Sequence, residues 1–216
     1  KLAQLEMQAL RSQMNPHFIF NSLNSIRYQI QTAQYKNASN YLVRFSKLLR
    51  LSLENSRRET VTLTEELALT KLYLEIEGQR LGDAYQFAIE VANGIDADEI
   101  ELPPLLLQPY AENAIKHGLM NSNKPLKMVK IEVTAIAGGI RITIADNGVG
   151  RLASEQRHKE GGLDHQSLGM HITNERMQLF SKHEQVNLTA ELEDIIENGT
   201  IDGTRVIITF KNQHYV

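Results

Sequence analysis

Between residues 128 and 146 the chain alternates apolar and polar side chains on either side of Ala137-Gly138-Gly139. Alternation of period two marks a strand with one buried face. Two such runs across a Gly-rich turn predict a β-hairpin, Met128–Ile136 with Ile140–Asp146. Ile140, Ile142, Ile144 and Asp146 share parity, so all four face the same way. A carboxylate at the end of a core-facing row is costly unless it meets a specific donor. The hairpin therefore calls for a sheet with one covered face, and for a polar partner beside Asp146. Gly148 and Gly150 follow at once; taken alone, Asp146-Asn147-Gly148 is an ordinary turn tripeptide at a strand end.

The rest of the chain supplies the cover. Residues 1–56 read as helix, with almost no Gly and one Pro. Ile19, Leu23, Ile26 and Ile30 recur at helical spacing and are expected to form a core stripe. At 100° per residue His17 lies on the opposite face, with Asn21 one turn below it. Leu10 and Met14 share the His17 side, so Pro16 is expected to kink the helix and present His17 outward. A second helix sets Ala38, Tyr41, Leu42, Phe45, Leu48, Leu49 and Ser52 on one side. A hairpin of two such helices buries too little alone, and a second copy completing a four-helix bundle is its natural partner.

Thr62-Leu63-Thr64-Glu65 has the form of a capping box and opens a third helix ending near Gly82-Asp83. Tyr85–Ala92 is strand-like, and Asn93-Gly94 is a turn signal. Pro103-Pro104 is expected to introduce a helix over 104–118, with Pro109 either bending it or marking its true start. Residues 151–166 are charged and read as an irregular loop. Ser167 is expected to N-cap a helix running to about Lys182. Strands over Val186–Leu192 and Arg205–Phe210 close the chain, joined through Asn198-Gly199 and Asp202-Gly203.

Composition narrows the classes. The 216 residues carry a formal net charge of −3, so there is no global basic footprint for nucleic acid. Cysteine is absent, which removes disulfide frameworks and thiolate metal sites. No apolar run approaches the ~20 residues that cross a bilayer. The chain opens mid-helix in character and without an initiator Met, so it reads as part of something longer, and an upstream membrane segment is compatible with it.

Four separated pieces carry chemistry. If 104–118 is one helix, Asn113, Lys116 and His117 share a face at i, i+3 and i+4. The Asn113 oxygen can ligate Mg²⁺ beside phosphates, Lys116 brings charge toward phosphate, and His117 can donate a hydrogen bond or pack on a ring. Asp146 is an acceptor suited to an exocyclic amine. Gly148 and Gly150 let the backbone pass close to a flat ligand. Gly169 and Met170 stand at a helix start, where amides and the dipole favour phosphate. Thr204, after Gly203, could close the base side. Glu112 could be a base, a partner for Lys116, or structural. The blander readings are a satisfied helix Asn at 113, a plain turn at 146–148 and simple capping at 167–169.

The order and spacing of these pieces resemble the N, G1, G2 and GT boxes of the GHKL ATPase superfamily, over roughly residues 84–211. That resemblance implies a Bergerat fold, an α/β sandwich that binds ATP with Mg²⁺ under a flexible lid, here at about 149–167. Upstream, Gln13-Met14-Asn15-Pro16-His17-Phe18-Ile19-Phe20-Asn21-Ser22-Leu23-Asn24 resembles the signature of the LytS-type sensor histidine kinases. Leu105-Leu106-Leu107-Gln108-Pro109-Tyr110-Ala111-Glu112-Asn113-Ala114-Ile115-Lys116-His117-Gly118 resembles their N box, and Thr62–Leu67 their connecting helix. The implied class is α+β. A helical dimerisation and phosphoacceptor hairpin (1–60) and a connecting helix (61–83) precede the GHKL catalytic domain (84–216).

The resemblance further implies that His17 takes the γ-phosphoryl group of ATP and passes it to an Asp of a cytosolic response regulator. It implies a homodimer through the N-terminal helices, and a cytoplasmic portion of a membrane protein anchored by an upstream segment. Asn21 resembles in position the residue that orients water for phosphatase action in other kinase classes. Two positions depart from the pattern: Ser167 stands where the family has Gly, and Phe18 follows His17 where other classes have an acid. The alternatives are an ATP-binding pseudokinase, or a dimeric signalling scaffold without phosphotransfer.

Overall fold

The structure, a computed structural model, describes residues 16–151, 166–197 and 199–212. It divides into two units, residues 1–59 and 60–216.

In the first unit, helices α1 (Pro16–Gln31) and α2 (Tyr35–Ser56) form the expected hairpin. Ala33, at a positive φ of 58°, turns the chain between them. The buried row of α1 is Phe18, Ser22 and Ile26, at i, i+4 and i+8. It meets Ala38, Tyr41, Phe45, Leu48 and Ser52 of α2, all buried. The Phe18 and Phe45 rings lie 5.9 Å apart, and the Tyr41 hydroxyl donates to Ser22 Oγ at 3.3 Å. The expected stripe is thereby corrected: Ile26 is buried, but Leu23 and Ile30 are each 50% exposed. Helix α1 carries two apolar faces, and periodicity cannot say which of them a single neighbouring helix will cover. Leu42, expected on the inner side of α2, is also exposed. Leu10, Met14 and the bend expected from them lie outside the described residues.

In the second unit the short strand β1 (Val61–Thr62) leads into α3 (Leu63–Leu81). Its capping box forms as expected. Thr62 Oγ1 accepts from Glu65 N at 3.2 Å, and Glu65 Oε2 accepts from Thr62 N at 2.9 Å. Gly82, at φ 77°, ends the helix. Strand β2 (Tyr85–Val91) comes next. Strand β3 (Glu101–Leu102) pairs with β1 in a two-stranded ribbon that the sequence reading missed.

The main sheet is completed by β4 (Lys127–Ile136), β5 (Gly139–Asp146), β6 (Asn187–Glu197) and β7 (Thr200–Lys211). Its order is β2-β4-β5-β7-β6, with β2 parallel to β4 and all other pairs antiparallel. One face is apolar and buried: Val129, Ile131 and Val133, then Ile140, Ile142 and Ile144, then Val206, Ile208 and Phe210. Three helices pack on the sheet. Helix α3 contacts β2, the helical segment Ala114–Leu119 contacts β4, β5 and β7, and α5 (Gln166–Glu184) contacts β6. The expected α+β class is observed.

Two boundaries differ from expectation. The terminal strands run longer, and Asp202-Gly203 lies inside β7 rather than in a turn. A register shift at Ile195/Ile196 of β6 accommodates it. Helix α5 already includes Gln166, so Ser167 is helical rather than the N-cap. Most of the loop read as a lid, 152–165, lies outside the described residues.

Candidate functional site

The organising helix does not start at the double proline. Residues 103–107 form turns, and helix α4 begins at Gln108 (Gln108–Asn113), with Pro109 in its first turn. Of the two roles open to Pro109, it takes that of marking the start. Pro tolerates this position because a first-turn N–H has no partner within the helix.

From Ala114 the winding changes, and Ala114–Leu119 is a π-helix. Met120 N bonds Ile115 O at 2.9 Å, the five-residue step of that winding. The expected single α-helical face of Asn113, Lys116 and His117 is corrected accordingly, because the extra residue in the turn alters their angular spacing. Asn121 closes the turn, its Nδ2 donating to Lys116 O at 3.3 Å and to His117 O at 3.2 Å. The wide, rare winding carries Gly118 onto the end of β5.

That approach is the central geometric fact of the unit. A Cβ on Gly118 would stand 2.3 Å from Asp146 Oδ1. A Cβ on Gly148 would stand 2.3 Å from both Cα and C of Gly118. Only two glycines let helix and strand end meet this closely.

Asp146 is 6% exposed, at the end of the buried β5 row as its parity required. Its specific donor is Gly148 N, which reaches Oδ1 at 2.8 Å. Burial pushes the carboxyl up to about 7. Backbone hydrogen bonds from Gly148 and Thr204 and the charge of Lys124 oppose that rise, while Asp194 adds to it. Thr204 is the ladder partner of Asp146. Lys124 Nζ donates to Asp202 O at 2.8 Å and pairs with its carboxylate, tying the approach of β4 to β7 beside this corner.

Asn113 faces α5, its Nδ2 lying 3.1 Å from Met170 Sδ. The structure thus sets Asn113 beside Met170, and Gly118, Asp146, Gly148 and Thr204 beside one another. Lys116 and His117 are half-buried on the π-turn between these two groups. Gly150, at φ 78°, sits under Ile201 and near Asp194, whose Oδ1 accepts from Arg151 N at 2.8 Å. Gly169 lies in the first turn of α5. Glu112 accepts from Gln108 Nε2 at 3.2 Å. Burial lifts its carboxyl to about 7, against that hydrogen bond and the charge of Lys116; Glu77 of α3 raises it further. His17 and Asn21 belong to α1 of the other unit.

Comparison with known proteins gives a consistent answer. The Histidine kinase family model matches residues 5–85. Sensor histidine kinase YesM of Bacillus subtilis is 30% identical over 212 residues, covering 96% of this chain and 33% of that protein. Sensor protein LytS of Enterococcus faecalis is 32% identical over 149 residues, covering 69% of this chain and 25% of that protein. The chain belongs to the LytS-type sensor histidine kinases. It spans a quarter to a third of the length of these two relatives. A solved structure described as a bacterial phosphotransferase shares the fold, with a TM-score of 0.51 at 12% identity, covering 96% of this chain and 97% of that one.

Within this histidine kinase core, sequence reasoning missed several residues that shape the site. Asn147 was taken as part of a turn. Its Oδ1 accepts from Met128 N at 2.8 Å and its Nδ2 donates to Leu126 O at 2.9 Å, pinning the start of β4. Glu66 and Glu77 are buried on α3, and Arg176 of α5 donates to Pro104 O at 3.0 Å. A signal for the two acids was present, since Leu63, Glu66, Leu67, Thr70, Leu74 and Glu77 fall on one helical stripe. A carboxylate inside an apolar stripe announces a buried partner.

Proposed function

We propose that the chain is the kinase core of a two-component sensor histidine kinase, transferring the γ-phosphoryl group of ATP to His17 and from there to an aspartate of a response regulator. The observation that carries this reading is the Gly118–Asp146–Gly148 corner. It is a buried carboxylate under two glycines whose Cβ positions are closed, beside a helix bearing Asn113, Lys116 and His117. Such a corner suits a flat base with an exocyclic amine.

In this reading Asp146 accepts from the adenine amine, and Thr204 and Gly150 border the base. Gly169 and Met170 at the start of α5 meet the phosphates. Lys116 and His117 contribute charge and donors along the phosphate chain. The Asn113 amide fits a magnesium site: its described partner is a thioether, a weak acceptor that is readily exchanged, and its oxygen ligates without adding negative charge. Mg²⁺ there would neutralise phosphate charge as the phosphoryl group leaves.

The unprotonated imidazole of His17 is the nucleophile in this reading. Attack forms an N–P bond and breaks the bond from the γ-phosphorus to the β,γ-bridging oxygen. ADP leaves, and the imidazole proton passes to solvent. Glu112 is in electrostatic reach of Glu77 and bonded to Gln108, which supports a structural rather than a basic role. The exposed Phe20, Leu23 and Ile30 of α1 support a homodimer in which a second hairpin covers them. The relatives named as sensors support a cytoplasmic core joined to an upstream sensory and membrane segment. No helix among the described residues is long and apolar enough to cross a membrane.

The test is incubation with Mg²⁺ and γ-labelled ATP beside a His17→Gln variant. Acid-labile, alkali-stable label that disappears in the variant is expected. ATP binding without any label would support the pseudokinase reading instead.

A further inference from the structure

The segment that launches α4 is held from two sides. Leu105 N donates to Glu66 Oε1 at 2.6 Å, and Leu107 N donates to Glu66 Oε2 at 3.0 Å. From the other side, Arg176 Nη1 donates to Pro104 O at 3.0 Å. Glu66 is 0% exposed. Its carboxyl lies at about 7, raised by burial and held back by the backbone bonds and by the charge of Arg176. Leu105 sits at φ 58°, a left-handed conformation that L side chains seldom adopt. Leu107 is the N-cap position of α4 and has no side-chain cap of its own. The two amides that Glu66 takes up lie ahead of the first helical residue, so a carboxylate from α3 fixes the approach to α4.

We infer that Glu66 and Arg176 are positioning residues for the nucleotide site: together they clamp residues 104–107 and so fix where α4 carries Asn113 relative to Met170 of α5. The inference rests on the nucleotide reading above for its purpose and on the hydrogen bonds alone for its geometry. A carboxylate that only filled space would need no pair of amides, and a loop that only connected would not hold Leu105 left-handed. Three elements meet in the clamp. Helix α3 gives the acid, the 104–107 turn gives two N–H groups and a carbonyl, and α5 gives the guanidinium. The same α5 supplies Met170 against Asn113, so Arg176 fixes both walls of the site with one side chain.

The test compares the chain with Glu66→Gln and Arg176→Met. Glu66→Gln keeps the volume but turns one acceptor into a donor facing an N–H, and Arg176→Met removes the bond to Pro104. Three quantities are read: the midpoint of thermal unfolding, the affinity for ADP with Mg²⁺, and the side-chain amide resonance of Asn113. Both variants are expected to bind ADP about 10- to 100-fold more weakly and to shift the Asn113 resonance without ADP present. A lowered midpoint with unchanged Asn113 resonance and unchanged affinity of the folded protein would overturn the inference, leaving the pair merely structural. Should the unsubstituted chain bind no ADP, the nucleotide reading falls, and the Asn113 resonance still decides the clamp. Should Glu66→Gln fail to fold, Arg176→Met decides it by the same readings.

Discussion

Replacing Asp146 with Asn tests whether the site is maintained at the expense of stability. The Asp146 carboxyl is displaced from its ordinary 3.8 to about 7, with burial as the leading cause. Between those values the native state holds a proton that the unfolded state has released, so stability must fall as pH rises. The contribution is complete below about pH 4 and lost as pH climbs through 7. Three pKa units correspond to a ceiling of about 4 kcal/mol, and the interval from pH 5 to pH 7 accounts for about 2 kcal/mol of it. Asn cannot ionise, so Asp146→Asn removes this dependence. Glu66 and Glu112, also raised to about 7, titrate in both proteins and cancel in the comparison. Urea unfolding at pH 5, 6, 7 and 8 is the assay. The variant is expected to gain about 2 kcal/mol on the parent chain between pH 5 and pH 7, while losing ADP affinity by more than about tenfold. A constant gap between the two proteins across that range would refute the account of Asp146 as a carboxylate held against its burial. A variant that gained the stability yet kept ADP affinity would instead refute the role assigned to Asp146 in holding the base.

Two further outcomes follow from particular contacts. Gly148→Ala forces a Cβ onto the Gly118 backbone and is expected to cost about 1–3 kcal/mol with loss of ADP binding, measured by thermal melts and calorimetry; parental values in both would show that the corner can yield. Asn21→Ala is expected to slow dephosphorylation of the response regulator while His17 phosphorylation proceeds, and loss of both, or of neither, would remove Asn21 from that role.

Much of the second unit was legible because its signals are local and periodic. The capping box at Thr62-Glu65, the hairpin around Gly138 and the inward parity of Asp146 each rest on residues within a few positions of one another. What stayed hidden depends on distant partners. Nothing adjacent to Leu105 reveals that Glu66, 39 residues earlier, will take its amide. Nothing in the sequence 114–119 distinguishes π from α winding, because the choice is made by how close Gly118 must come to Asp146. In α1 the sequence offered two apolar faces, and the one chosen for burial depended on which residues of α2 lay opposite. Asp202-Gly203 reads as a turn by composition, yet the pairing of β6 with β7 draws it into a strand.

The π-turn makes the distance between Asn113 and Gly118 a matter of counting. In an ordinary helix, deleting one residue rotates everything beyond it by about 100°. Here a deletion within Ala114–Leu119 would relax the wide turn to common α geometry, a change local propensity would favour, and would swing Gly118 away from the strand end it alone can meet. Insertions and deletions should therefore be far less tolerated in these six residues than substitutions at their outward positions. Any redesign of the segment has to conserve its length before its composition.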